Sequence, residues 1–211
     1  MPMKIRGAVL LARKSFVFGQ FGKEGWEKVL NTFGEEDRDT LSSMIVHAGW
    51  YPFELGEELD QAIADVLGKG NPHVFEEIGE QSARANLSGI HQTFLTPGDP
   101  QAFMKQAGVI YKFYYDTGSR TYEQTGSASG IMITHDADTL SAIDCLTVIG
   151  WHRAGLEMCG ARNVRVEEVQ CRAKGDPVCE YHFQWDMESN LKVDDRPPAK
   201  GGSGDRHKKR D

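Results

Sequence analysis

The N-terminal part of the chain places apolar residues at helical spacing. Residues 24–33 carry large apolar side chains at positions i, i+3, i+4 and i+7, which predicts an amphipathic helix that ends before Gly34. Segment 4–21 has apolar residues at mixed spacing, which fits either a helix or an entry from a strand into a helix, and we favour the helix. Three further amphipathic helices are predicted, over residues 39–45, 53–67 and 72–87. The pattern therefore indicates a helical subdomain over residues 1–92.

Beyond residue 92 the pattern alternates between helix and strand. Helices are predicted from Pro100 to Tyr114 and over residues 139–159, and residues 121–135 predict one long or broken strand. A β-hairpin is predicted from two strands, at 163–172 and 179–185. In its second strand Cys, Tyr, Phe and Trp alternate with polar residues, so one face is buried and the other faces water. The predicted fold class is therefore α+β, with an antiparallel sheet packed against helices.

Composition and charge narrow the function classes. The 211 residues carry a net charge of -7, which argues against a nucleic-acid-binding surface over the whole body. No apolar run approaches the roughly 20 residues that a membrane span requires, and the apolar stretch near the N-terminus is too short for a signal peptide. We therefore expect a cytoplasmic protein with reduced thiols. Residues 187–211 lose their hydrophobic content and predict a disordered polar tail with a basic end.

Three of the four cysteines can converge. Cys171 and Cys179 flank a predicted tight turn, and Cys145 lies on the apolar helix before the hairpin. Zinc prefers four tetrahedral ligands drawn from thiolate, imidazole and carboxylate, so a nearby glutamate would complete a site. The simpler interpretation is that these are small buried apolar residues, as free cysteines often are.

The identity of the fourth ligand depends on strand geometry. In a regular strand Glu167 and Cys171 share a face, whereas Glu168 points to the opposite side. A bulge near Val169–Gln170 would favour Glu168 instead. Four protein ligands leave no open coordination position, so a zinc ion here is expected to be structural.

The thiols, the carboxylate and the intervening Gly175-Asp176 pair resemble the 4-vinyl reductase (4VR) domain and the sensor domains of phenol-responsive bacterial transcription activators. In those sensors a cysteine, a glutamate and two further cysteines bind zinc at the spacings found here: 23 from Cys145 to Glu168, 3 to Cys171 and 8 to Cys179. The resemblance covers residues 95 to 186. It implies a 4VR-like α/β ligand-binding domain over residues 93–186, with zinc bound by Cys145, Glu168, Cys171 and Cys179.

The N-terminal part resembles the same broad superfamily through Phe21-Gly22-Lys23-Glu24-Gly25-Trp26-Glu27-Lys28-Val29-Leu30. That superfamily includes haem-nitric-oxide-binding (H-NOX) domains and subunits of the TRAPP vesicle-tethering complex. The whole chain is also similar to an uncharacterised myxobacterial protein family. The resemblance implies an apolar ligand pocket, a homodimer and a signalling partner protein. The ATPase and DNA-binding domains of a complete transcription activator are absent from the sequence, and so is the Tyr-x-Ser-x-Arg signature of haem domains.

Several aromatic residues and one histidine are candidates for the wall of a pocket that binds a small apolar or aromatic ligand. They are Trp50, Tyr51, Phe103, Tyr111, Phe113, Tyr114 and His152. At helical spacing such residues are more often plain core. His91 is the candidate axial ligand for haem, although a histidine of this kind is usually a hydrogen-bonded structural residue.

These patterns favour a non-enzymatic bacterial sensor or adaptor domain with a structural zinc site. The alternative is a non-catalytic protein-interaction scaffold that resembles tethering-complex subunits. A reductase acting on a porphyrin precursor is suggested only by the name of the 4VR domain. No catalytic residues are predicted, because no nucleophile elbow, phosphate-binding loop or HExxH motif occurs.

Overall fold

The computed structural model of this chain describes residues 2–71, 73–89, 91–137 and 141–187. The predicted tail lies outside these residues, except for Met187 at its start. The N-terminal half contains two short strands and four helices: β1 Lys4–Arg6, α1 Gly7–Leu30, α2 Glu35–Ser42, β2 Trp50–Pro52, α3 Phe53–Val66 and α4 His73–Leu87. Strands β1 and β2 pair antiparallel, so the chain enters α1 from a strand rather than from the helix we predicted at residue 4.

The helices of this half follow the apolar pattern with two differences. The stripes over 4–21 and 24–33 lie on one long element, α1, whose helical backbone is interrupted at Gly22 with φ 66° and ψ -167°. Helix α2 begins at Glu35 rather than at residue 39, because three acidic residues in its first turn favour a helix N-terminus there. It ends at Ser42, so the predicted extension to residue 45 is wrong.

The C-terminal half contains three helices and a four-stranded sheet. Its elements are α5 Pro100–Met104, α6 Ala107–Tyr114, β3 Ser119–Gly126, β4 Ser129–His135, α7 Ala142–Met158, β5 Ala161–Gln170 and β6 Cys179–Met187. The sheet is antiparallel with strand order β3-β4-β6-β5. The predicted α+β fold class is confirmed. The single helix predicted from Pro100 is divided into α5 and α6, and the strand predicted over 121–135 is a hairpin.

The two halves meet where α4 packs against α7. An added Cβ at Gly79 would lie 2.1 Å from the Thr147 carbonyl oxygen, and one at Gly150 would lie 2.0 Å from the Glu76 carbonyl oxygen. The two helix backbones are therefore in direct contact, which only glycine permits at these positions. The buried apolar residues form one continuous cluster that extends from Met3 to Trp185.

The predicted alternation along β6 is confirmed. Cys179, Tyr181, Phe183 and Trp185 are buried, whereas the polar residues between them are exposed or half-buried. Helix α7 and the buried face of β6 thus share a core, which brings the start of α7 near the start of β6. Within the described ranges, no helix combines the length and the apolar character that crossing a membrane requires.

Candidate metal centre and ligand cavity

Cys145 is presented by the first turn of α7. Ser141 caps this helix, because its hydroxyl accepts a hydrogen bond from the Asp144 amide at 3.2 Å. The helix start predicted at residue 139 lies outside the described residues. The Cys145 thiol is buried and faces the β5–β6 connection.

Glu168 reaches the same place because β5 is irregular near its end. Tyr181 lies opposite Glu168, but Glu180 lies opposite Gln170, so Val169 is an extra residue in β5. The strand thus contains the bulge that is the condition for Glu168, rather than Glu167, to share a side with the thiols. It turns the Glu168 carboxylate to the side of the strand that carries the thiols.

The other two thiols are held by the turn between β5 and β6. Cys171 begins a short 3-10 helix, Arg172–Lys174, and Gly175 follows with a left-handed φ of 100°. The Asp176 carboxylate accepts a hydrogen bond from the Cys171 amide at 2.8 Å, while the Asp176 amide donates to the Cys171 carbonyl at 3.2 Å. These bonds fix the turn so that Cys171 and Cys179 approach each other.

The ligand atoms of Cys145, Glu168, Cys171 and Cys179 lie within 4.8 Å of one another, and we call these four residues the Cys3Glu cluster. Cys145 Sγ is 3.8 Å from Cys171 Sγ and 3.8 Å from Cys179 Sγ. A disulfide requires about 2.05 Å, so all three sulfurs are free. A tetrahedral zinc ion with Zn–S bonds of about 2.3 Å places two sulfurs about 3.8 Å apart.

The carboxylate of the cluster has one oxygen engaged and one unpartnered. Glu168 Oε2 accepts from Lys174 Nζ at 3.2 Å, whereas Oε1 is buried and has no hydrogen-bond partner within the described part of the chain. The Arg172 amide donates to Cys179 Sγ at 3.4 Å. Hydrogen bonds of this kind stabilise a thiolate and orient metal ligands. The neighbouring Glu167 is exposed.

The thiols of the cluster differ in acidity. A hydrogen bond from the Cys145 thiol to Cys179 lowers the pKa of Cys179, and the same bond together with burial raises the pKa of Cys145. Burial also raises the pKa of Cys171. Cys179 is therefore the first thiolate of the cluster to form as the pH rises.

A cavity lies along α7, beginning one turn after Cys145. Its volume is about 40 Å³, measured for the centre of a water-sized sphere, and its walls come from α1, α4, α6, β3 and α7. The apolar wall includes Val9, Ile110, Val148 and Trp151. The polar wall includes Arg13, Ser82, Tyr111, Tyr114, Tyr115, Arg120, Thr147 and His152. Because about 10–15 Å³ by this measure holds one water molecule, the cavity holds about three.

His152 and Tyr114 contribute unpartnered atoms to this cavity. The Val148 carbonyl accepts a hydrogen bond from His152 Nδ1 at 2.9 Å, which leaves Nε2 as the unprotonated nitrogen. His152 is 2% exposed, and burial followed by the charge of Arg120 lowers its pKa to about 3. Neither His152 Nε2 nor the Tyr114 hydroxyl has a hydrogen-bond partner among the described residues.

Two arginines line the cavity, and they differ in their hydrogen-bond partners. Arg13 is buried and forms a two-pronged pair with the Asp60 carboxylate, with distances of 2.9 and 3.0 Å. Arg120 is also buried, but its Nε donates to a neutral group, Thr134 Oγ1, at 2.9 Å. The guanidinium of Arg120 lies 4.8 Å from the centre of the Tyr111 ring, within cation–π range.

Some of the residues predicted for the pocket line the cavity, and the others lie elsewhere. Tyr111, Tyr114 and His152 line the cavity. Phe103 instead stacks on Trp151 in the core at a ring distance of 6.0 Å, and Trp50 is 39% exposed with the Arg6 guanidinium above its ring.

The remaining candidates also lie away from the cavity. The Tyr51 hydroxyl accepts a hydrogen bond from the Val46 amide at 2.9 Å, near the β1–β2 pair. His91 is buried among Phe94, Phe113 and Tyr114 but does not line the cavity. Neither Phe113 nor Tyr51 is part of the cavity wall.

Sequence reasoning missed the two arginines. Arg13 lies between Val9 and Val17 on the buried side of α1, and a charge at that position of an apolar stripe is a signal for a buried polar contact. Arg120 occupies an inward position of β3 and could be identified only through the strand alternation.

No protein-family model matches the chain, and no curated protein matches it. Solved structures share its fold. An H-NOX protein from K. algicida, in the unliganded Fe(II) state, has 14% identity and a TM-score of 0.65, and the alignment covers 88% of this chain and 98% of that one. The H-NOX protein from S. oneidensis in the Fe(II)NO state has 12% identity and a TM-score of 0.66, over 86% and 99% of the two chains.

A mutant of the T. Tengcongensis H-NOX protein has 11% identity and a TM-score of 0.67, over 85% of this chain and 97% of that one. At these identities the likeness shows the fold. The chain has the fold of these H-NOX proteins, whereas neither the 4VR domain nor the myxobacterial family is confirmed.

Proposed function

We propose that this protein is a non-enzymatic small-molecule sensor or adaptor domain whose shape is held by a zinc ion in the Cys3Glu cluster. The observation that carries the metal part is the sulfur geometry. Both S···S distances from Cys145 are 3.8 Å, the edge length of a tetrahedral zinc–thiolate site. The buried, unpartnered Oε1 of Glu168 supplies the remaining ligand atom.

A zinc ion in this cluster would be structural. Four protein ligands complete a tetrahedron and leave no position for a water molecule or a substrate. The ion would fasten the first turn of α7 to both strands of the β5–β6 hairpin. Metal-mediated cross-links of this kind contribute directly to the free energy of folding.

The small-molecule part of the proposal rests on the cavity. It lies between the two halves of the chain, and its polar atoms are only partly satisfied. Helix α7 carries Cys145 in its first turn and Val148 and His152 in the next two turns. A ligand in the cavity would therefore contact α7, the helix that the metal anchors. Binding would then shift the packing of this helix, which is how binding in the cavity would be transmitted to the surface of the protein.

Haem does not fit this cavity. Several structural neighbours are named as Fe(II) H-NOX proteins, and one is described through its haem redox potential and distorted porphyrin. Pockets for drug-sized ligands measure about 300–1,000 Å³, and a porphyrin is at least as large as these ligands. Here the cavity is about 40 Å³, and Gly79 on its wall holds α4 against the α7 backbone.

The metal proposal is tested by elemental analysis of untagged protein. We expect about one zinc per chain. Cys171→Ala should lose the metal and lower the unfolding midpoint by about 10 °C, because a structural metal stabilises only the folded state. Cys159→Ala is the matched control, since Cys159 is an equally buried thiol outside the cluster.

The control should retain one zinc and lose only the small packing contribution of its sulfur, about 1–2 kcal/mol. A metal-free wild-type protein that is fully folded and equally stable in chelator would contradict the proposal. Equal metal content in the two variants would contradict it as well.

A further inference from the structure

The cavity wall contains a buried cation that no carboxylate neutralises directly. Arg120 is 8% exposed, and among the described residues none brings a carboxylate within salt-bridge distance of it. Arg13, on the opposite wall, has the two-pronged Asp60 partner that Arg120 lacks. A buried guanidinium is costly unless it is paired, and its fork of N–H groups matches the two oxygens of a carboxylate.

The charge of Arg120 acts on the buried acid Asp144, but within the described residues no hydrogen bond or ion pair joins these two side chains. Asp144 accepts a hydrogen bond from the Tyr115 hydroxyl at 2.9 Å, and burial raises its pKa. Asp144 does not line the cavity that Arg120 reaches. The positive charge of Arg120 therefore faces the cavity without a matched anion in the described part of the chain.

Two side chains of the cavity wall carry further polar atoms. The Tyr114 hydroxyl can donate a hydrogen bond, and His152 Nε2 can accept one, yet both atoms are buried without a partner among the described residues. Buried polar atoms of native proteins nearly always find a partner, so these two point to a group that occupies the cavity. One donor, one acceptor and one cation make a site for a molecule with a carboxylate and a small neighbouring polar group.

The size and the apolar wall limit the rest of that molecule. Room for about three water molecules corresponds to roughly three to five non-hydrogen atoms. Val9, Ile110 and Val148 offer no polar contact, so part of the ligand is hydrocarbon. An inorganic anion would leave this wall without a complementary surface.

We infer that the cavity binds a short-chain carboxylate, with its carboxylate on Arg120 and its carbon chain against the apolar wall. The Tyr114 hydroxyl is the second donor to the carboxylate, and a hydroxyl of the ligand or a bound water donates to His152 Nε2. This assignment rests on the proposed ligand-binding function of the cavity and specifies its ligand class.

The test uses the full-length, zinc-loaded protein and needs no mutation. Thermal unfolding and calorimetry are compared for acetate, propionate and glycolate, with uncharged propionamide and sodium chloride at equal ionic strength as matched controls. At 100 times its dissociation constant, a carboxylate should raise the unfolding midpoint by about 5–10 °C. Propionamide and chloride should leave the midpoint unchanged.

A variant locates the binding. Arg120→Gln should abolish the response to propionate, whereas Lys105→Gln, at an exposed lysine, should keep it. Circular dichroism establishes whether Arg120→Gln is folded, and if it is not, the propionate–propionamide comparison on wild-type protein decides alone. A response equal for propionate and propionamide, or unchanged in a folded Arg120→Gln, overturns the inference.

Propionamide also separates this inference from the proposed function. If propionamide binds and the carboxylates do not, the carboxylate assignment is wrong while the ligand-binding function stands. If neither binds, both are wrong. Tighter binding of glycolate than of propionate, lost in His152→Leu, supports the role of His152 Nε2 as the acceptor for a ligand hydroxyl.

Discussion

The Cys3Glu cluster and the cavity lie along the same helix, but they are built in opposite ways. The cluster takes three of its four residues from a 12-residue stretch, Glu168 to Cys179, and its sulfurs already have the spacing of a complete tetrahedron. The cavity takes its wall from five separate elements, and two of its side chains carry atoms, His152 Nε2 and the Tyr114 hydroxyl, that have no partner in the described part of the chain. The cluster has the ligand set for one metal ion, whereas the wall of the cavity does not specify its occupant to the same degree.

In the proposed sensor, this difference would divide two tasks along α7. A zinc ion would fix the first turn of this helix to the hairpin through Cys145, where rigidity is useful and access is not. The following turns border a space whose polar atoms change their environment when a molecule enters. A rigid anchor beside a responsive cavity allows a small binding event to move a defined element rather than to loosen the fold.

The largest effect expected on the cavity side alone comes from the α4–α7 contact. Gly150→Ala places a Cβ 2.0 Å from the Glu76 carbonyl oxygen, a backbone atom that cannot turn away. We expect a loss of about 3 kcal/mol in the free energy of unfolding, measured by urea denaturation. The metal content should stay at one zinc per chain, since the cluster does not depend on this contact.

Gly19→Ala is the matched control for this change. Gly19 also lies within a helix, but nothing is within 4 Å of an added Cβ there. Alanine should therefore stabilise the protein by about 0.5–1 kcal/mol through its higher helix propensity. A Gly150→Ala protein as stable as Gly19→Ala would mean that α4 and α7 are not in backbone contact.

The sequence predicts the cluster well because its geometry is local. The spacing of the thiols and the turn before Cys179 follow from residues within one hairpin. The bulge at Val169 does not: regular strand geometry favours Glu167, and the expectation of Glu168 comes from the resemblance to zinc-binding sensors. The alternation along β6 likewise identifies its buried face without any knowledge of the partner elements. Only Cys145 requires tertiary packing, and the apolar face of its helix indicates where that packing occurs.

The cavity could not be predicted to the same extent because it depends on which helices meet. Helical spacing marks Phe103 and Tyr111 equally as apolar, yet one stacks in the core and the other lines the cavity. The buried charges Arg13 and Arg120 become meaningful only when their partners across the chain are known. Their pairing is a property of the assembled fold.

The next largest effect is the pH dependence of stability that results from the buried, neutral His152. Burial lowers the pKa of this imidazole to about 3, whereas the unfolded value is about 6.5. Between these two pH values the unfolded chain binds a proton that the folded protein does not, so stability falls as the pH decreases below 6.5. From pH 7 to pH 5 the loss due to His152 is about 2 kcal/mol.

His152→Leu should remove this part of the acid sensitivity. Urea unfolding at pH 7 and pH 5 gives the difference between wild type and variant, in which the protonation of the cluster thiols cancels. His182→Gln, at an exposed histidine, is the control and should keep the wild-type slope. Parallel pH dependence of wild type and His152→Leu would show that the imidazole is not held neutral by the cavity.

The smallest effect separates Glu168 from Glu167 as the fourth ligand. The bulge at Val169 turns Glu168 toward the thiols and leaves its Oε1 buried without a partner, while Glu167 is exposed. Glu168→Gln replaces a carboxylate ligand by a neutral amide, so zinc affinity should fall at least tenfold, about 1.4 kcal/mol. Competition with a chromophoric chelator measures this change, and Glu167→Gln should bind zinc as wild type does.

Lys174→Ala tests whether Glu168 affects zinc affinity through its ion pair with Lys174 rather than as a metal ligand. Lys174 pairs with Glu168 Oε2 at 3.2 Å but is itself exposed, and surface pairs of this kind contribute little. Its loss should change zinc affinity by less than about threefold. If Lys174→Ala reproduces the whole effect of Glu168→Gln, the carboxylate orients the turn and is not a ligand. If Glu167→Gln is the weaker binder, the strand register on which the Cys3Glu cluster depends is wrong.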